Sequence, residues 1–547
     1  MHGLMQDWPL TVDRILDHAA TWHPGHQVVT RRIEDGVIET TTYGDIHAEA
    51  KRVSNALKAL GVRAGDRVGT LAWNSGRHMA VWYGVMGMGA VCHTLNPRLH
   101  ADQLCWIINH AEDRVIFVDI TFAGMLAQAM ATRPHKVEHV VVMTGRATMP
   151  DLPGLICYED LISGESTDCA WGGFDEQTAC GLCYTSGTTG DPKGVLYSHR
   201  SNFLHTLITL QASVMGTSGN DTILAIVPMF HANAWGLAFS APASGAKLVM
   251  PGARMDGASV YELIEREQVT FSAAVPTVWS MLLQHLRATG STLPSLKKVL
   301  IGGSAVPAEM IRVFHDDYDV EVVQGWGMTE TSPVGSTSTP TPEVARLSFA
   351  EQVPYRAKAG RPPLGVELKI KGEDGAELPW DGEEMGRLMV KGPTVAAAYF
   401  RGDGSILDEE GFFDTGDIAT IDTEGFMAIT DRAKDVIKSG GEWISSIDVE
   451  NVAIAHPKAA LAAVIGVPHP KWEERPLLVV QLKAGEDATG EEMLGFLQGK
   501  MARWWIPDAV EFVDDLPLGA TGKIDKKVLR ARFHDRLRGA DAVAAAE

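Results

Sequence analysis

Short apolar runs alternate along much of the chain with longer segments whose apolar residues recur at helical spacing. The amphipathic stretch 101–110, for example, is followed closely by the apolar run 115–118. Short apolar runs bounded by glycine, proline or polar residues are typical of buried strands. Further runs of this kind lie at 140–143, 222–227, 246–250 and 298–301. The alternation predicts an α/β chain in which helices cover β-sheets.

The pattern changes near residue 365, where glycine-rich turns separate short apolar runs. These runs predict a small antiparallel β unit with strands at 366–370, 387–390, 418–421 and 426–430. From about residue 432 strands and helices alternate again, with strands expected at 460–467 and 477–482. The main domain boundary is therefore expected at 431–433.

Composition narrows the class of protein. A chain of 547 residues is long enough for several structural units. Its 45% hydrophobic and 21% charged residues exclude a disordered or low-complexity chain. Lysine and arginine number 48 against 69 acidic residues, so the formal charge is −21. This acidity disfavours nucleic acid or an anionic membrane as the main partner.

Cysteine usage and the apolar segments predict a soluble, cytoplasmic protein. Six cysteines are too few for a disulfide scaffold in so long a chain. Cys180 and Cys183 are three residues apart in a strand-like run, so their side chains should point to opposite faces rather than share a metal or a disulfide. Residues 1–30 lack the apolar core of a secretory signal, and the apolar stretch 79–95 is short and interrupted for a membrane span.

The densest chemical signal is a run of glycine and hydroxyl residues that ends in a lysine. On a strand-to-helix loop, such residues can wrap a phosphate with N–H and O–H donors while the lysine supplies positive charge. The run is not a Walker A loop, because Lys193 is followed by Gly194 rather than by serine or threonine. The alternative is a flexible polar turn. The residues are Thr185, Ser186, Gly187, Thr188, Thr189, Gly190, Asp191, Pro192, Lys193 and Gly194.

At these residues the chain resembles the adenylate-forming superfamily of acyl-CoA synthetases, peptide-synthetase adenylation domains and firefly luciferases. The resemblance runs from about residue 10 to 535. It implies a large N-terminal domain of helix-covered sheets with a small β-barrel-like unit, followed by a small mobile α+β domain. The implied organisation is an acid- and ATP-binding domain at 1–431, a hinge at 432–434 and a lid at 435–547.

A second matching motif spans 324–330 and supplies most of the expected nucleotide contacts. An aromatic face can stack on adenine, a threonine hydroxyl can reach the α-phosphate, and a glutamate can hold Mg²⁺ together with phosphate oxygens. The resemblance assigns these roles to Trp326, Thr329 and Glu330; alone, Trp326 would more often be a core residue. The remaining residues of the motif are Gln324, Gly325, Gly327 and Met328.

Three further motifs follow in the order expected for the family. In 413–417, Asp417 stands where the family binds the ribose hydroxyls. In 430–435, Arg432 is expected near the ribose and at the hinge, although a charged turn between strands is ordinarily solvated surface. In 516–524, Lys523 matches the family's catalytic C-terminal lysine, whereas a lysine on such a glycine loop is otherwise usually inert.

The resemblance also implies CoA as the acceptor and places one group of residues on the CoA side or at the hinge. A carboxylate must first gain a good leaving group, which adenylation by ATP provides, before a thiol can displace AMP. The lid is expected to rotate between these two half-reactions. The CoA-side and hinge residues are Lys434, Lys438, Gly440, Gly441, Glu442 and Trp443.

The acid pocket is placed by the same resemblance, with His231 as a gating and catalytic residue. A lone histidine would more often be a core residue. Trp235 is large enough to limit the length of the acid, unless it points into the core instead. Gly303 and Ser304 are expected to contact ATP near this pocket. The other expected pocket residues are Gly302, Gly327, Met328 and Pro333.

The tail 501–508 resembles the medium-chain acyl-CoA ligase branch, particularly bacterial 3-(methylthio)propanoate-CoA ligases. The resemblance implies a short- or medium-chain acid, with 3-(methylthio)propanoate as the best candidate and butanoate-like acids also accepted. A medium-chain fatty acid ligase of broad specificity is the alternative. Amino-acid adenylation, luciferase-like oxygenation and nucleotide binding without turnover are further alternatives. No nucleic acid or integral membrane partner is expected, and a homodimer remains open beside a monomer.

Overall fold

The computed structural model describes residues 1, 3–185, 191–439, 442–518 and 524–537; for Glu442 it describes the backbone alone. The chain forms two compact units. The larger unit comprises Met1–Glu367 and Val390–Phe413, and the smaller comprises Leu368–Met389 and Asp414–Glu547. Within the described residues no helix is long and apolar enough to cross a membrane.

The first fifteen strands belong to the larger unit. They are β1 (Gln27–Arg31), β2 (Ile38–Thr42), β3 (Arg67–Leu71), β4 (Val91–Thr94), β5 (Val115–Val118), β6 (His139–Val142), β7 (Leu155–Cys157), β8 (Ala179–Thr185), β9 (Lys193–Ser198), β10 (Thr222–Ala225), β11 (Lys247–Met250), β12 (Phe271–Ala274), β13 (Lys298–Ile301), β14 (Glu321–Gly327) and β15 (Val334–Thr337).

In the described part of this unit, thirteen α-helices lie between or beside these strands. They are α1 (Asp13–Trp22), α2 (Tyr43–Ala59), α3 (Gly76–Gly87), α4 (Ala101–Ala111), α5 (Ala123–Ala131), α6 (Tyr158–Ile162), α7 (His199–Thr209), α8 (Leu237–Ser244), α9 (Gly257–Glu267), α10 (Pro276–Thr289), α11 (Ala308–Tyr318), α12 (Pro342–Ala345) and α13 (Phe349–Arg356).

Two mixed sheets form the frame of the larger unit. One has the strand order β7-β6-β5-β3-β4-β8-β9 and the other the order β15-β14-β13-β12-β10-β11-β1-β2. Parallel pairs dominate their centres, for example β3 with β5 and β12 with β13. The side chains of β5 are buried along its whole length, as expected where helices cover both faces of a sheet. The predicted α/β class is confirmed.

The glycine and hydroxyl run connects two antiparallel strands, so its expected place between a strand and a helix is wrong. Strand β8 pairs with β9, and Thr185 lies opposite Lys193. The reason is visible in 193–198, where buried Val195 and Tyr197 alternate with the more exposed Leu196, which is the period of a strand. Helix α7 begins only after Ser198, whose side chain accepts the N–H of Ser201.

The smaller unit contains most of a four-stranded sheet and all of a five-stranded one. The first has the order β16-β17-β18-β19; in the second, β21-β20-β23-β22 are joined by β24 on β23. Its elements are β16 (Glu367–Lys371), β17 (Gly386–Lys391), β18 (Phe413–Ile421), β19 (Met427–Arg432), β20 (Ile437–Ser439), β21 (Glu442–Ile444), β22 (Ala459–His469), β23 (Glu473–Leu482), β24 (Ala509–Phe512), α14 (Ser446–Ile454), α15 (Gly490–Leu497) and α16 (Lys526–Phe533).

Candidate functional site

Two tyrosines hold the short turn that carries Thr329 and Glu330. Strand β14 leads into a single 3₁₀ turn, Thr329–Thr331. The hydroxyl of Tyr197 donates to the Thr329 carbonyl oxygen at 2.7 Å, and the hydroxyl of Tyr399 donates to Glu330 Oε1 at 2.8 Å. The Ala396 N–H also donates to the Glu330 carbonyl oxygen at 2.8 Å. Both the backbone and the carboxylate of this turn are therefore fixed from outside it.

Tyr399 also contacts Lys193, the first residue of β9. Lys193 Nζ lies 4.8 Å from the centroid of the Tyr399 ring, within cation–π range. The Phe400 N–H donates to the Gly194 carbonyl oxygen at 2.8 Å, which ties the two segments together. Burial, and then the Glu330 carboxylate, raise the pKa of Tyr399 above its usual value, so the phenol stays protonated and donates. Tyr399 therefore contacts both the ammonium of Lys193 and the carboxylate of Glu330.

The loop after Gly327 is packed so closely that only glycine fits at this position. A Cβ on Gly327 would lie 1.7 Å from the Pro333 carbonyl oxygen. The Met328 N–H donates to that same oxygen at 3.2 Å. The Trp326 ring lies against the backbone of Gly335, where a Cβ would come within 2.3 Å of it. The expected adenine, phosphate and pocket residues of 326–333 are therefore one compact unit.

Residues 302–304 follow β13, and Gln324 in the neighbouring parallel strand β14 lies opposite Ile301, the last residue of β13. Gln324 Oε1 accepts the Val306 N–H at 3.0 Å, so this side chain braces the loop after β13. Gly303 has φ +80°, a conformation that suits glycine. The Trp235 ring packs on this loop, because a Cβ on Gly302 would lie 3.1 Å from its Cη2 atom.

The segment that carries His231 and Trp235 has an unusual backbone. Ala232, Asn233, Ala234 and Trp235 all have positive φ, between 40° and 61°. Gly236 follows at φ 84°, and a Cβ there would lie 2.9 Å from the His205 ring. After this left-handed turn the partly buried Trp235 ring lies on Gly302 and also packs against the main core of the larger unit.

In the smaller unit, Asp417 and Arg432 form a cross-strand ion pair. They face each other on β18 and β19, with Arg432 Nε 2.9 Å from Asp417 Oδ1. Asp417 is 5% exposed and Arg432 45% exposed, so the guanidinium remains accessible to a ligand. Arg432 ends β19 rather than lying in a loop, and the turn begins at the next residue.

The residues expected at the hinge and on the CoA side lie beyond this pair. Asp431 is buried and accepts the N–H of Ser446 at 2.6 Å, at the start of α14. Lys438 lies opposite Trp443, with its ammonium 5.6 Å from the ring centroid and 2.5 Å from Glu373 Oε1. Lys434 is exposed.

Several expected site residues lie outside the described part of the chain. They are Ser186, Gly187, Thr188, Thr189, Gly440, Gly441 and Lys523, together with the side chain of Glu442. Their assignments stay predictions.

The described residues suit a magnesium ion bound mainly by a nucleotide. Among them, no group of three histidine, cysteine, aspartate or glutamate side chains could hold a metal. Glu330 provides one buried carboxylate close to Lys193 and Tyr399. Mg²⁺ commonly takes one or two carboxylates and completes its shell with phosphate oxygens and water, so this donor set fits.

Sequence reasoning missed Tyr197, Tyr399 and His205. The alternation in 193–198 could have marked Tyr197 as an inward-facing strand residue. Nothing in the sequence near Tyr399 points to Glu330, which is 69 residues away. His205 accepts the Val334 N–H at 3.2 Å, and burial lowers its pKa to about 3.

Comparison with known proteins agrees with the expected family. The AMP-binding enzyme family matches residues 16–400, and the AMP-binding enzyme C-terminal domain matches 448–523. The chain is 49% identical to a 3-methylmercaptopropionyl-CoA ligase of Ruegeria lacuscaerulensis, over 98% of this chain and 100% of the relative. It is 46% identical to a medium-chain-fatty-acid–CoA ligase of Ectopseudomonas oleovorans, over 98% of each chain.

A solved structure supports the same conclusion. The anthranilate CoA ligase AuaEII in complex with anthranoyl-AMP superimposes with a TM-score of 0.83 at 26% identity, covering 98% of this chain and 100% of the other. The chain therefore belongs to the AMP-binding enzyme family, and these relatives, which match it over nearly its whole length, are acyl-CoA ligases.

Proposed function

We propose that the protein is an ATP-dependent acid–thiol ligase that makes an acyl-adenylate and then an acyl-CoA, with release of pyrophosphate and AMP. The observation that carries this proposal is that Tyr399 contacts both Lys193 and Glu330, while Tyr197 holds the backbone of Thr329, the residue before Glu330. A cation and a carboxylate held close together, beside a threonine, suit a triphosphate whose α-phosphorus is attacked.

In the first half-reaction an acid oxygen bonds to the α-phosphorus while the bond from that phosphorus to the bridging oxygen of pyrophosphate breaks. Negative charge gathers around phosphorus in the transition state. Thr329 is assigned to the α-phosphate and Lys193 to the outer phosphates. Glu330 would hold Mg²⁺ through the phosphates, and that ion neutralises phosphate charge when bound. Lys523 is assigned to the reacting centre on family resemblance.

In the second half-reaction the CoA sulfur bonds to the acyl carbon and the bond from that carbon to the AMP oxygen breaks. The proposed hinge at 432–434 would turn the lid, 435–547, away from the adenylation arrangement. The accessible Arg432 beside buried Asp417 suits the ribose hydroxyls, and Lys438 with Trp443 suits the CoA side. Cytoplasmic location and a homodimer stay predictions.

The proposed acid is 3-(methylthio)propanoate, with butanoate-like acids also accepted. Trp235 supports this choice, because its large ring lies on Gly302, an expected pocket residue, where a ring of this size would limit the length of the acid. The 49% identical relative is named as a ligase of this thioether acid, and the 46% identical one as a medium-chain fatty acid ligase. Acids that differ by one methylene should differ by only about 10- to 200-fold in kcat/KM.

The test is to follow pyrophosphate release and CoA consumption with C2 to C12 acids and 3-(methylthio)propanoate. The expected result is the highest kcat/KM for 3-(methylthio)propanoate or butanoate. Preference for C12 or an aromatic acid would overturn the pocket assignment, and no pyrophosphate release with any acid would overturn the proposed ligase activity.

In Lys523→Ala, acyl-adenylate formation should fall by at least about 100-fold, whereas thioester formation from supplied acyl-adenylate should persist. Equal loss of both steps would contradict the proposed role of Lys523.

A further inference from the structure

Asn74 makes an unusual set of contacts with the segment that leads to His231. Its Nδ2 donates to the carbonyl oxygens of Ala225 at 2.8 Å and Val227 at 2.7 Å. Its Oδ1 accepts the Met229 N–H at 2.7 Å. One side chain, 3% exposed, therefore satisfies three backbone groups within five consecutive residues. Only one orientation of the amide allows this, because the amide nitrogen donates and the amide oxygen accepts.

Asn74 is itself firmly placed. It follows β3 of the seven-stranded sheet and forms an isolated antiparallel bridge with Gly252, which follows β11 of the eight-stranded sheet. The next residue, Ser75, caps α3 by accepting the His78 N–H at 3.1 Å. Before it, the Trp73 N–H donates to the buried carboxylate of Asp119 at 2.7 Å. Asn74 thus connects the segment after β3 in one sheet with the ends of β10 and β11 in the other.

The contacts end where the acid pocket is proposed to begin. The Trp73 ring centroid lies 6.5 Å from that of Phe230, and the Phe230 ring lies 5.9 Å from that of His231. The His231 N–H donates to the Pro228 carbonyl oxygen at 2.9 Å, so His231 follows the loop that Asn74 holds.

We infer that Asn74 is a positioning residue for acid binding, which fixes the 225–229 loop and through it the place of His231. The inference rests on the proposed function, because it takes His231 to border the acid pocket. Without Asn74, two carbonyl groups and one N–H of the loop would lose a buried hydrogen-bond partner. Because unpaired buried polar groups are costly, the loop would rearrange to form other hydrogen bonds. Acid binding should weaken while ATP binding stays as it is.

The experiment compares Asn74→Ala and Asn74→Ser with Ser272→Ala. Ser272 is a matched control, because its buried hydroxyl donates to the Leu224 carbonyl oxygen of the same strand, β10, without touching the loop. In Asn74→Ala the KM for the acid should rise about 10- to 100-fold, with the KM for ATP unchanged. Asn74→Ser can keep one donor and should show a smaller rise. Ser272→Ala should leave both values unchanged.

Hydrogen exchange tests the same inference without any turnover. In the wild-type protein, amides of 226–231 should exchange as slowly as those of β10, and exchange should become faster in Asn74→Ser but not in Ser272→Ala. Fast exchange in the wild type, or parallel rises in the KM for acid and ATP, would overturn the positioning role. If the wild type activates no acid, the proposed function fails, while slow exchange would still support the tether.

Discussion

The turn of Thr329 and Glu330 and the segment of His231 and Trp235 are built in opposite ways. The turn is held by side-chain hydroxyls, those of Tyr197 and Tyr399. The segment is a backbone shape, four residues in the left-handed region that cost roughly 1 to 2 kcal/mol each for residues other than glycine and asparagine. Its burial and the tether of Asn74 must offset that cost. Loss of one tyrosine hydroxyl should therefore weaken the proposed nucleotide side, whereas the proposed acid side depends on its backbone shape and on the hydrogen bonds of Asn74.

The largest expected effect comes from Gly327→Ala, which should disrupt the proposed nucleotide side by displacing its backbone rather than by removing a hydrogen bond. Its Cβ would meet the Pro333 carbonyl oxygen at 1.7 Å, so the loop 327–333 would have to move. We expect a loss of about 3 kcal/mol or more in the free energy of unfolding. Adenylation should fall by more than about 100-fold, because Thr329 and Glu330 would move with the loop. Urea unfolding and pyrophosphate release measure the two effects.

Gly325→Ala is the control for stability. Its Cβ would have no neighbour closer than 3.4 Å, an ordinary contact, so the free energy of unfolding should stay near the wild-type value. Equal stability of the two variants would show that the loop after Gly327 is looser than the structure indicates.

A smaller effect is expected at His205, which contacts both regions. Its ring accepts the N–H of Val334, which follows the turn of Thr329 and Glu330, and lies against Gly236, which follows Trp235. Its pKa is lowered by burial to about 3, so the unfolded chain takes up a proton below about pH 6.5 while the folded protein does not. Stability is thus fully present above pH 6.5 and is lost as the pH falls, by about 2 kcal/mol at pH 5.

His205→Gln keeps an acceptor for Val334 without a titrating ring. The wild type should lose about 2 kcal/mol more than this variant between pH 7 and pH 5, measured by urea unfolding at each pH. The buried histidines His78 and His199, whose pKa values burial lowers to about 4 and about 3, are present in both proteins and cancel. Parallel curves for the two proteins would contradict a neutral, buried His205.

The two regions also differ in how far they could be predicted from the sequence. The strands at 115–118 and 298–301 coincide with β5 and β13, because short apolar runs between turn residues have few other uses in an α/β chain. The motif at 324–330 was identifiable because its residues are contiguous. The left-handed turn was not, since Ala-Asn-Ala-Trp contains no glycine to mark positive φ.

Contacts between residues that are far apart in the sequence could not be predicted either. Tyr197 reaches Thr329 over 132 residues, and Asn74 reaches Met229 over 155. Such pairs arise only when two sheets meet, and no local period encodes them. The helix expected after the glycine and hydroxyl run is a strand for a different reason: the alternation of buried and exposed residues in 193–198 is the period of a strand, and the glycines before it do not indicate which element follows.

The smallest expected effect is that of Tyr399→Phe, and this variant tests the difference between the two regions most directly. Phenylalanine keeps an aromatic face beneath Lys193 but removes the hydroxyl that donates to Glu330 at 2.8 Å. A hydrogen bond to a charged group contributes about 1.5 kcal/mol or more, so kcat/KM for ATP should fall about tenfold. The KM for the acid should stay unchanged, and calorimetry should show weaker binding of ATP with Mg²⁺.

Tyr43→Phe is the matched control, because its buried hydroxyl also donates to an oxygen, the Ala246 carbonyl at 2.7 Å, and this acceptor belongs to neither region. It should lower stability and leave ATP binding as in the wild type. If Tyr399→Phe binds ATP like Tyr43→Phe, the carboxylate of Glu330 does not depend on the tyrosine hydroxyl. The turn of Glu330 would then be held mainly through its backbone, by the hydrogen bond that the Ala396 N–H donates to the Glu330 carbonyl oxygen. In that respect it would resemble the segment of His231 and Trp235.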